Sequence, residues 1–185
     1  MLTTSASRAA QSAGFTLVEL MVAVGVLGVL TVVGLPTFKQ MLQNYQVRVA
    51  AESVANGLQR ARAEAVARNA AVQFFLGAGT SWTVDYVTKP VPTDPPLDSR
   101  SSAEGSANVA LAAVAADLAT AATTITFNNL GQVIANVPAS PALGRVTFNA
   151  AATGGNQTLR VTIGAGGNAR VCDPSLPPAN VRYCP

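Results

Sequence analysis

A continuous apolar segment near the start of the chain constrains its fold more than any other feature. Residues 15–35 are apolar apart from Glu19 and two threonines. A helix of this length spans about 31 Å, which is enough to cross the hydrocarbon core of a bilayer. The residues before it are small and polar and carry one charge, Arg8. Because positive charge is retained on the cytoplasmic side, we expect a cytoplasmic N-terminus and an exported remainder.

The start of the apolar segment predicts a processing site. A secretory signal peptide has a small-residue cleavage site after its apolar run, whereas this chain continues past Leu35 as PTFKQMLQNYQVR. Cleavage between Gly14 and Phe15 would instead remove a short leader and retain the helix. An ordinary signal anchor leaves Glu19 unexplained, because a carboxylate inside a bilayer is costly.

The stretch GFTLVELMVAVGVLGVL at residues 14–30 resembles the N-terminal signal of type IV pilins and of type II secretion pseudopilins. The resemblance implies that a prepilin peptidase cuts after Gly14 and methylates the new N-terminus on Phe15. It also implies that Glu19 pairs with the N-terminal ammonium of a neighbouring subunit and so sets the axial register of a filament. Pro36 falls where these proteins often carry a helix-kinking proline.

The apolar pattern continues beyond the membrane-length segment. Apolar residues recur at three- and four-residue steps from Phe38 to Ala65. This spacing predicts an amphipathic helix that ends near Arg68 or Asn69. Pro36 is expected to kink this long helix without ending it.

After the helix, the hydrophobic period becomes that of strands. TTITFNNLGQVIANV predicts a hairpin that turns at Asn128–Gly131. The proline-rich residues 88–102 predict a loop that cannot lie inside a sheet. The alanine-rich residues 103–124 predict either a short helix around Val109–Leu118 or an irregular loop. The other predicted strands are AVQFFLG, SWTVDYV, GRVTFNA, QTLRVTIG and NARVC.

A long helix followed by antiparallel strands predicts an α+β fold. The layout resembles the GspH/FimT branch of the pilin superfamily, and ITFNNLGQVI and the ending GNARVCDP…RYCP carry this part of the resemblance. It implies a pilin-like fold, with a long hydrophobic N-terminal helix packed on an antiparallel β-sheet globular domain. We expect a cleaved leader at 1–14, a transmembrane and filament-core half-helix at 15–36, an amphipathic half-helix at 37–69 and a periplasmic β-rich domain at 70–185.

Two cysteines lie close together near the C-terminus. Cys172 and Cys184 are the only cysteines of the chain, and a pair in a chain with a membrane-directed start predicts a disulfide formed in an oxidising compartment. The alternative is two free thiols. A bond would close the loop CDPSLPPANVRYC, with a stabilisation of about 3 kcal/mol in the chain-entropy model. Since three prolines already stiffen it, the loop would form a rigid exposed tip.

Three arginines near this loop are candidates for contacts with DNA phosphates: Arg160, Arg170 and Arg182. If the last two strands form a hairpin, Arg160 and Arg170 approach each other. FimT-like proteins in natural transformation bind DNA through a basic C-terminal motif of the type Gly-Arg-x-Arg. The matching stretch here, residues 167–170, keeps the last arginine but has Asn168 in place of the first. The alternative is that these arginines are solvated and flank a structural disulfide.

Composition argues against a catalytic or metal-binding protein. The chain has no histidine, and its few carboxylates are scattered, so neither the usual triad nor a metal cage can be assembled. A serine–lysine pair would need Lys39 or Lys89, and neither has a convincing setting. The net charge of +3 is too small to indicate a dedicated nucleic-acid binder. We expect no enzyme activity, no cofactor and no metal.

Taken together, the resemblance implies a minor pilin that primes or caps a type IV pilus, with DNA uptake as a candidate additional role. The alternative is a minor pseudopilin of a type II secretion system, which the N-terminal motif does not distinguish. The implied partners are prepilin peptidase, other major and minor pilins or pseudopilins, an inner-membrane assembly platform and, for the additional role, DNA. The implied location is the bacterial inner membrane, with one span and a periplasmic globular domain, and then the pilus or pseudopilus.

Overall fold

The structure is a computed structural model that describes residues 14–150 and 155–184. Apart from Gly14, the expected leader lies outside these ranges. The chain divides into two units, Met1–Thr37 and Phe38–Pro185. The described residues form one helix and nine strands: α1 Leu17–Ala67, β1 Val72–Leu76, β2 Trp82–Tyr86, β3 Asp98–Arg100, β4 Val109–Ala115, β5 Thr124–Phe127, β6 Val133–Ile134, β7 Leu143–Ala150, β8 Thr158–Ile163 and β9 Ala169–Cys172.

The helix α1 continues through Pro36, as the apolar pattern predicted; the kink at this proline stays a prediction. It ends close to the expected position, because Asn69 adopts a left-handed conformation with φ of 52°. The backbone N–H of Ala70 then donates to the carbonyl of Ala65 at 3.2 Å. A left-handed residue just after the last turn is a common helix end, and asparagine accepts this conformation more readily than most residues.

One face of α1, from Val47 to Ala65, packs into the core of the second unit. The helix approaches β1 very closely at Gly57, where an added Cβ would lie 2.8 Å from Cε2 of Phe74. Nearby, the indole N–H of Trp82 donates to the hydroxyl of Ser53 at 2.8 Å. Glycine in the helix interior therefore permits the close contact between helix and strand.

The strands form two antiparallel sheets. We call sheet 1 the five strands in the order β3-β2-β1-β5-β6, and sheet 2 the four strands in the order β4-β7-β8-β9. Side chains from both sheets, among them Phe74, Phe127 and Phe148, join α1 in one hydrophobic core. The predicted α+β, pilin-like architecture is confirmed, and the strands are divided between two sheets.

The hairpin prediction is also confirmed. β5 and β6 pair antiparallel, and the N–H of Asn128 donates to the carbonyl of Gln132 at 2.9 Å. Gly131 has a φ of 73°, a conformation that suits glycine at this turn.

The alternatives for the alanine-rich segment are both wrong, because Val109–Ala115 forms the strand β4. It pairs with β7 over its whole length, and burial alternates from Val109 to Ala110 to Leu111. Cross-strand pairing and a half-buried apolar face thus prevail over the intrinsic helix propensity of alanine.

The proline-rich segment also departs from the prediction at one end. Asp98–Arg100 forms β3, a short strand at the edge of sheet 1 that pairs with β2. The prolines of the segment lie before this strand. Proline was correctly expected to stay out of the ladder, but the residues after the last proline were free to join it.

Candidate functional site

The first candidate site is the start of α1. The side-chain oxygen of Thr16 accepts a hydrogen bond from the backbone N–H of Glu19 at 3.2 Å, and the Thr16 carbonyl accepts from Leu20 at 3.2 Å. Thr16 therefore caps the helix. Glu19 lies in the first turn, where a negative charge interacts favourably with the helix dipole. Sequence reasoning missed this cap, although Thr-x-x-Glu before an apolar run is its signature.

The side chains of the apolar part of α1 are exposed. All side chains from Phe15 to Leu35 are exposed. In the described ranges α1 is the one helix long and apolar enough to cross a membrane. Within the same ranges, the Glu19 carboxylate has no cationic partner. The structure therefore presents a lone carboxylate on an otherwise apolar surface.

Exposed apolar side chains also occur at the start of the second unit. Phe38, Met41 and Tyr45 are 57%, 71% and 63% exposed, although the sequence pattern grouped them with the core residues of the amphipathic helix. Their spacing places them on one helical face. Contiguous exposed apolar patches on soluble monomers indicate interaction surfaces, so this face is typical of a helix that packs against other helices.

The second candidate site is the C-terminal loop, where the predicted disulfide is present. Cys172 and Cys184 are bonded, with Cα atoms 5.5 Å apart, and both are buried. The two ends of the loop are joined at its base, because the N–H of Asp173, the residue after β9, donates to the carbonyl of Arg182 at 2.8 Å. The guanidinium of Arg170 donates to the carbonyl of Tyr183 at 2.5 Å. The loop is thus fixed by hydrogen bonds as well as by the covalent bond.

Two of the three candidate arginines lie on one face of sheet 2. Arg160 on β8 is opposite Cys172, and Arg170 on β9 is opposite Thr162. Residues two apart on a strand share a face, so Arg160 and Arg170 are diagonal neighbours, about 7–8 Å apart between Cα atoms. The predicted approach of these two arginines is consistent with this register.

The same face carries an arginine that sequence reasoning missed. Arg145 on β7 is directly opposite Thr162, as is Arg170 on β9, so Arg145 and Arg170 flank Thr162 in one row and Arg160 lies two residues away along β8, on the same face. We call these three residues the arginine face. Inward and outward side chains alternate in both GRVTFNA and QTLRVTIG. Aligning these two strands as a hairpin would have placed Arg145 on the same face as Arg160. The Nε of Arg160 is buried and lacks a hydrogen-bond partner among the described residues.

Arg182 lies apart from the arginine face. It lines a polar cleft of about 250 Å³ together with Asp173 and the ion-paired Arg48 and Glu52 of α1. The structure therefore does not bring the three predicted arginines together as one group.

The positive charge of the chain is concentrated in this region. After Asp117 the sequence contains four arginines and a single carboxylate, Asp173. Earlier in the chain, Arg48, Arg60, Arg68 and Arg100 each form an ion pair with a glutamate. The C-terminal third thus carries an excess of positive charge.

The described residues contain no group of histidine, cysteine, aspartate and glutamate side chains that could hold a metal ion. Lys89, one of the two lysines considered for a serine–lysine pair, binds the Asp85 carboxylate at 2.8 Å. An ammonium held by a carboxylate is a poor general base.

The long apolar helix, the two sheets and the N-terminal motif together define the pilin-like class of subunits. Residues 50–167 match the family "Type II transport protein GspH", and residues 10–35 match the "Prokaryotic N-terminal methylation motif". Because the first match covers more than half of the chain, the protein belongs to the GspH family of pilins and pseudopilins.

The chain is similar to two proteins of known structure. The minor pseudopilin EpsH of the type 2 secretion system of Vibrio cholerae is 14% identical, with a TM-score of 0.50 over 71% of this chain and 99% of that one. The type IV minor pilin FimU of Pseudomonas aeruginosa strain PAO1 is 20% identical, with a TM-score of 0.46 over 72% of this chain and 98% of that one. No curated protein sequence matches the chain.

Proposed function

We propose that this protein is a minor subunit of a type IV pilus, held in the membrane by α1 before assembly and packed into the filament core by the same helix afterwards. The observation that carries the proposal is the lone Glu19 carboxylate on the exposed apolar surface of α1. A helix of this kind needs lipid or other helices around it, and its carboxylate needs a cation.

The cation is supplied by processing. Cleavage between Gly14 and Phe15 by prepilin peptidase, which the matched methylation motif supports, hydrolyses the peptide bond and frees the amino group of Phe15. The same enzyme then transfers a methyl group to it from a methyl donor, and the methylated amine is a cation near neutral pH. A carboxylate inside a bilayer without a partner is costly, and pairing with the ammonium of a neighbour removes much of that cost. Subunits packed in any other axial register would leave Glu19 without a partner.

The exposed side chains of Phe38, Met41 and Tyr45 extend the contact surface beyond the membrane-length segment. In the proposed filament they pack against the helices of other major and minor pilins after the assembly platform has moved the subunit out of the bilayer. Arg8 lies outside the described residues. Its positive charge before the apolar segment predicts that the subunit, while anchored in the inner membrane, has a cytoplasmic N-terminus and hence a periplasmic globular domain.

A type II secretion pseudopilin is the alternative that the same helix supports. The family description and the fold likeness to a minor pseudopilin favour it, whereas the disulfide-closed loop favours the pilus. A deletion strain distinguishes the two. In the pilus case, surface pili or twitching motility are lost, secretion is unchanged, and the chain is found in sheared filaments. Loss of secretion with normal pili would overturn the pilus assignment in favour of the pseudopilus.

DNA binding during uptake is a second candidate function, and the arginine face is the observation that favours it. Three guanidinium groups on adjacent strands offer a positive surface for phosphate oxygens. A gel-shift assay with purified protein in detergent tests this role, which priming or capping of the filament does not require.

A further inference from the structure

The two ends of the disulfide-closed loop are joined by contacts that do not involve sulfur. Cys172 is the last residue of β9, and Cys184 lies twelve positions later. Between the two cysteines, Asp173 and Tyr183 form an isolated parallel bridge, and the N–H of Asp173 donates to the carbonyl of Arg182 at 2.8 Å. The backbone next to each cysteine is therefore paired with the backbone next to the other.

A side chain adds a further contact at the same place. Arg170 lies on β9, two positions before Cys172, and its guanidinium donates to the carbonyl of Tyr183 at 2.5 Å. A charged donor makes a stronger hydrogen bond than a neutral one. The strand β9 is itself held in sheet 2, where Arg170 is opposite Thr162 of β8. Arg170 thus ties the residue before Cys184 to the strand that carries Cys172.

The interior of the loop has hydrogen-bonded turns of its own. The carbonyl of Pro177 accepts from the N–H of Asn180 at 2.9 Å, and the carbonyl of Asn180 accepts from the N–H of Tyr183 at 2.9 Å. The three prolines of the loop further reduce the freedom of the chain. None of these turns uses sulfur, so the shape of the loop has a physical cause besides the covalent bond.

The cysteines lie where a docked loop brings them together. The Cα atoms of Cys172 and Cys184 are 5.5 Å apart, within the range that a disulfide bridges without movement of the backbone. Both residues are 2% exposed, so a reductant in solution reaches the bond only when the loop opens. Because thermodynamic linkage is reciprocal, contacts that hold the two thiols together in the reduced protein favour the bond by the same factor.

We propose that Arg170 is a positioning residue for the disulfide. It docks the end of the loop on β9 before the bond forms, so the folded, reduced subunit already holds the thiols of Cys172 and Cys184 side by side. The loop therefore keeps its shape when the bond is open, and the closed bond resists reduction. A guanidinium has five N–H groups, so this contact leaves others of Arg170 for a phosphate. The role is the same in a pilin and in a pseudopilin.

Exchange with glutathione measures this positioning. One molecule of oxidised glutathione takes up two electrons and two protons from the thiols of Cys172 and Cys184 and leaves as two molecules of reduced glutathione, while the S–S bond of the protein forms. The purified protein in detergent is equilibrated with glutathione of known redox ratio, free thiols are alkylated, and mass spectrometry gives the disulfide fraction. Each variant then has an equilibrium constant for oxidation.

Arg170→Gln removes the guanidinium and should lower this equilibrium constant about fivefold, the equivalent of about 1 kcal/mol, which is the typical net contribution of one hydrogen bond. The difference between variant and parent should vanish in concentrated guanidinium chloride, where the loop is unfolded. An unchanged constant for Arg170→Gln in the folded protein would overturn the proposal, and so would an equal decrease in the denaturant.

Arg182→Gln is the matched control, because it removes the same charge from the same loop. Arg182 contacts Asp173 through its backbone carbonyl, which this substitution retains, so the equilibrium constant should stay at the parent value. Equal decreases for Arg170→Gln and Arg182→Gln would show that net charge, and not the contact with Tyr183, acts on the thiols, and the proposal would be wrong.

Amide exchange tests whether the loop is docked before the bond forms. In a variant with serine in place of both cysteines, the hydrogen-bonded amide of Asp173 should exchange much more slowly than the amide of Val181, which is 89% exposed. Adding Arg170→Gln should speed the exchange at Asp173 about fivefold. Exchange at Asp173 as fast as at Val181 would show that the covalent bond alone holds the loop. The glutathione equilibrium remains decisive if the double serine variant fails to fold.

The outcomes are separate from those of the proposed function, because each measurement uses the isolated protein. A constant that does not respond to Arg170→Gln overturns the positioning role and leaves assembly through α1 intact. A chain absent from filaments overturns the proposed function and leaves the positioning role intact.

Discussion

The backbone of Gly57 in α1 and the ring of Phe74 in β1 are in such close contact that a Cβ at position 57 would lie 2.8 Å from Cε2 of Phe74. Gly57→Ala should therefore destabilise the protein by about 2 kcal/mol through overpacking, although alanine favours an isolated helix by about 1 kcal/mol. Thermal unfolding in detergent measures the difference. Asn56→Ala, at an exposed position one residue earlier, is the control and should change stability by less than about 0.5 kcal/mol. A Gly57→Ala protein as stable as the parent would contradict the close contact.

The disulfide should contribute measurably to stability. Replacing Cys172 and Cys184 together by serine should cost about 3 kcal/mol, mainly because the unfolded chain regains freedom. The Arg170–Tyr183 and Asp173–Arg182 bonds would still hold the ends of the loop in place. Chemical denaturation under non-reducing conditions measures the free energy of unfolding of the parent and of the double serine variant. Val181→Ala, at a position 89% exposed, should have no effect, and equal stability of the double serine variant would exclude a structural role for the bond.

The parts of the fold that were predictable from sequence were those with long or strongly patterned signals. The apolar run of α1, the Asn128–Gly131 turn and the closely spaced cysteines each have a local physical cause, and the structure contains them. The strand Val109–Ala115 was not predictable, because alanine has a weak local preference for strand and the pairing with β7 is a long-range contact.

The candidate sites show the same division. The motif around Glu19 could be read from consecutive residues. The arginine face could not, because Arg145 and Arg170 are far apart in sequence and become neighbours of the same residue, Thr162, only through strand register. Arg182 was grouped with Arg170 by proximity in sequence, and the structure places it instead in the cleft beside Arg48.

The turn that follows β4 should confer a pH dependence. Asp117 accepts hydrogen bonds from the hydroxyl of Thr120 and from the backbone N–H groups of Ala119 and Thr120. These bonds lower the pKa of the Asp117 carboxyl below the ordinary 3.8, and the bond from the Thr120 hydroxyl has the largest effect. A group with a lowered pKa stabilises the fold above its unfolded-state pKa, and that stabilisation is lost as the pH falls through the folded-state pKa.

The stability difference between the parent and Asp117→Asn should thus be constant near neutral pH and should shrink as the pH falls below 3.8. Melting temperatures across an acid series measure it. Asp94→Asn, in the proline-rich loop, is the control. A difference that does not change with pH would show that the carboxylate charge is not what holds the turn.

If the arginine face binds DNA, affinity should fall steeply with salt. Replacing Arg145, Arg160 or Arg170 by glutamine should weaken binding, and each phosphate that is no longer bound should reduce the slope of log K against log salt by about 1. Arg60→Gln, which alters an ion-paired arginine on α1, is the control. Arg182→Gln tests separately whether the loop contributes.

Binding that is absent at low salt, or that does not depend on salt, would remove DNA uptake as a function of this protein. Equal effects of Arg60→Gln and Arg160→Gln would show that bulk charge, and not the arginine face, attracts the DNA. A selective effect of Arg182→Gln alone would locate the contact on the disulfide-closed loop.

We propose that Glu19 pairs with the processed N-terminus of a neighbouring subunit. Because the carboxylate also lies in the first helical turn beside the Thr16 cap, the test must separate charge from capping. Glu19→Gln keeps a polar side chain of the same size but cannot carry the charge, and Glu19→Ala removes both. The Thr16→Ala variant is the control, since it weakens the cap by about 1 kcal/mol and leaves the carboxylate intact.

The decisive measurement is the ratio of filament-incorporated to membrane-inserted protein for these variants, determined by quantitative immunoblotting of sheared filaments and membranes. We expect all variants to insert into the membrane. Glu19→Gln and Glu19→Ala should both fall to about a tenth of the parent ratio or less, the equivalent of about 1.4 kcal/mol, and Thr16→Ala should stay near the parent ratio. Normal incorporation of Glu19→Ala would contradict the proposed pairing.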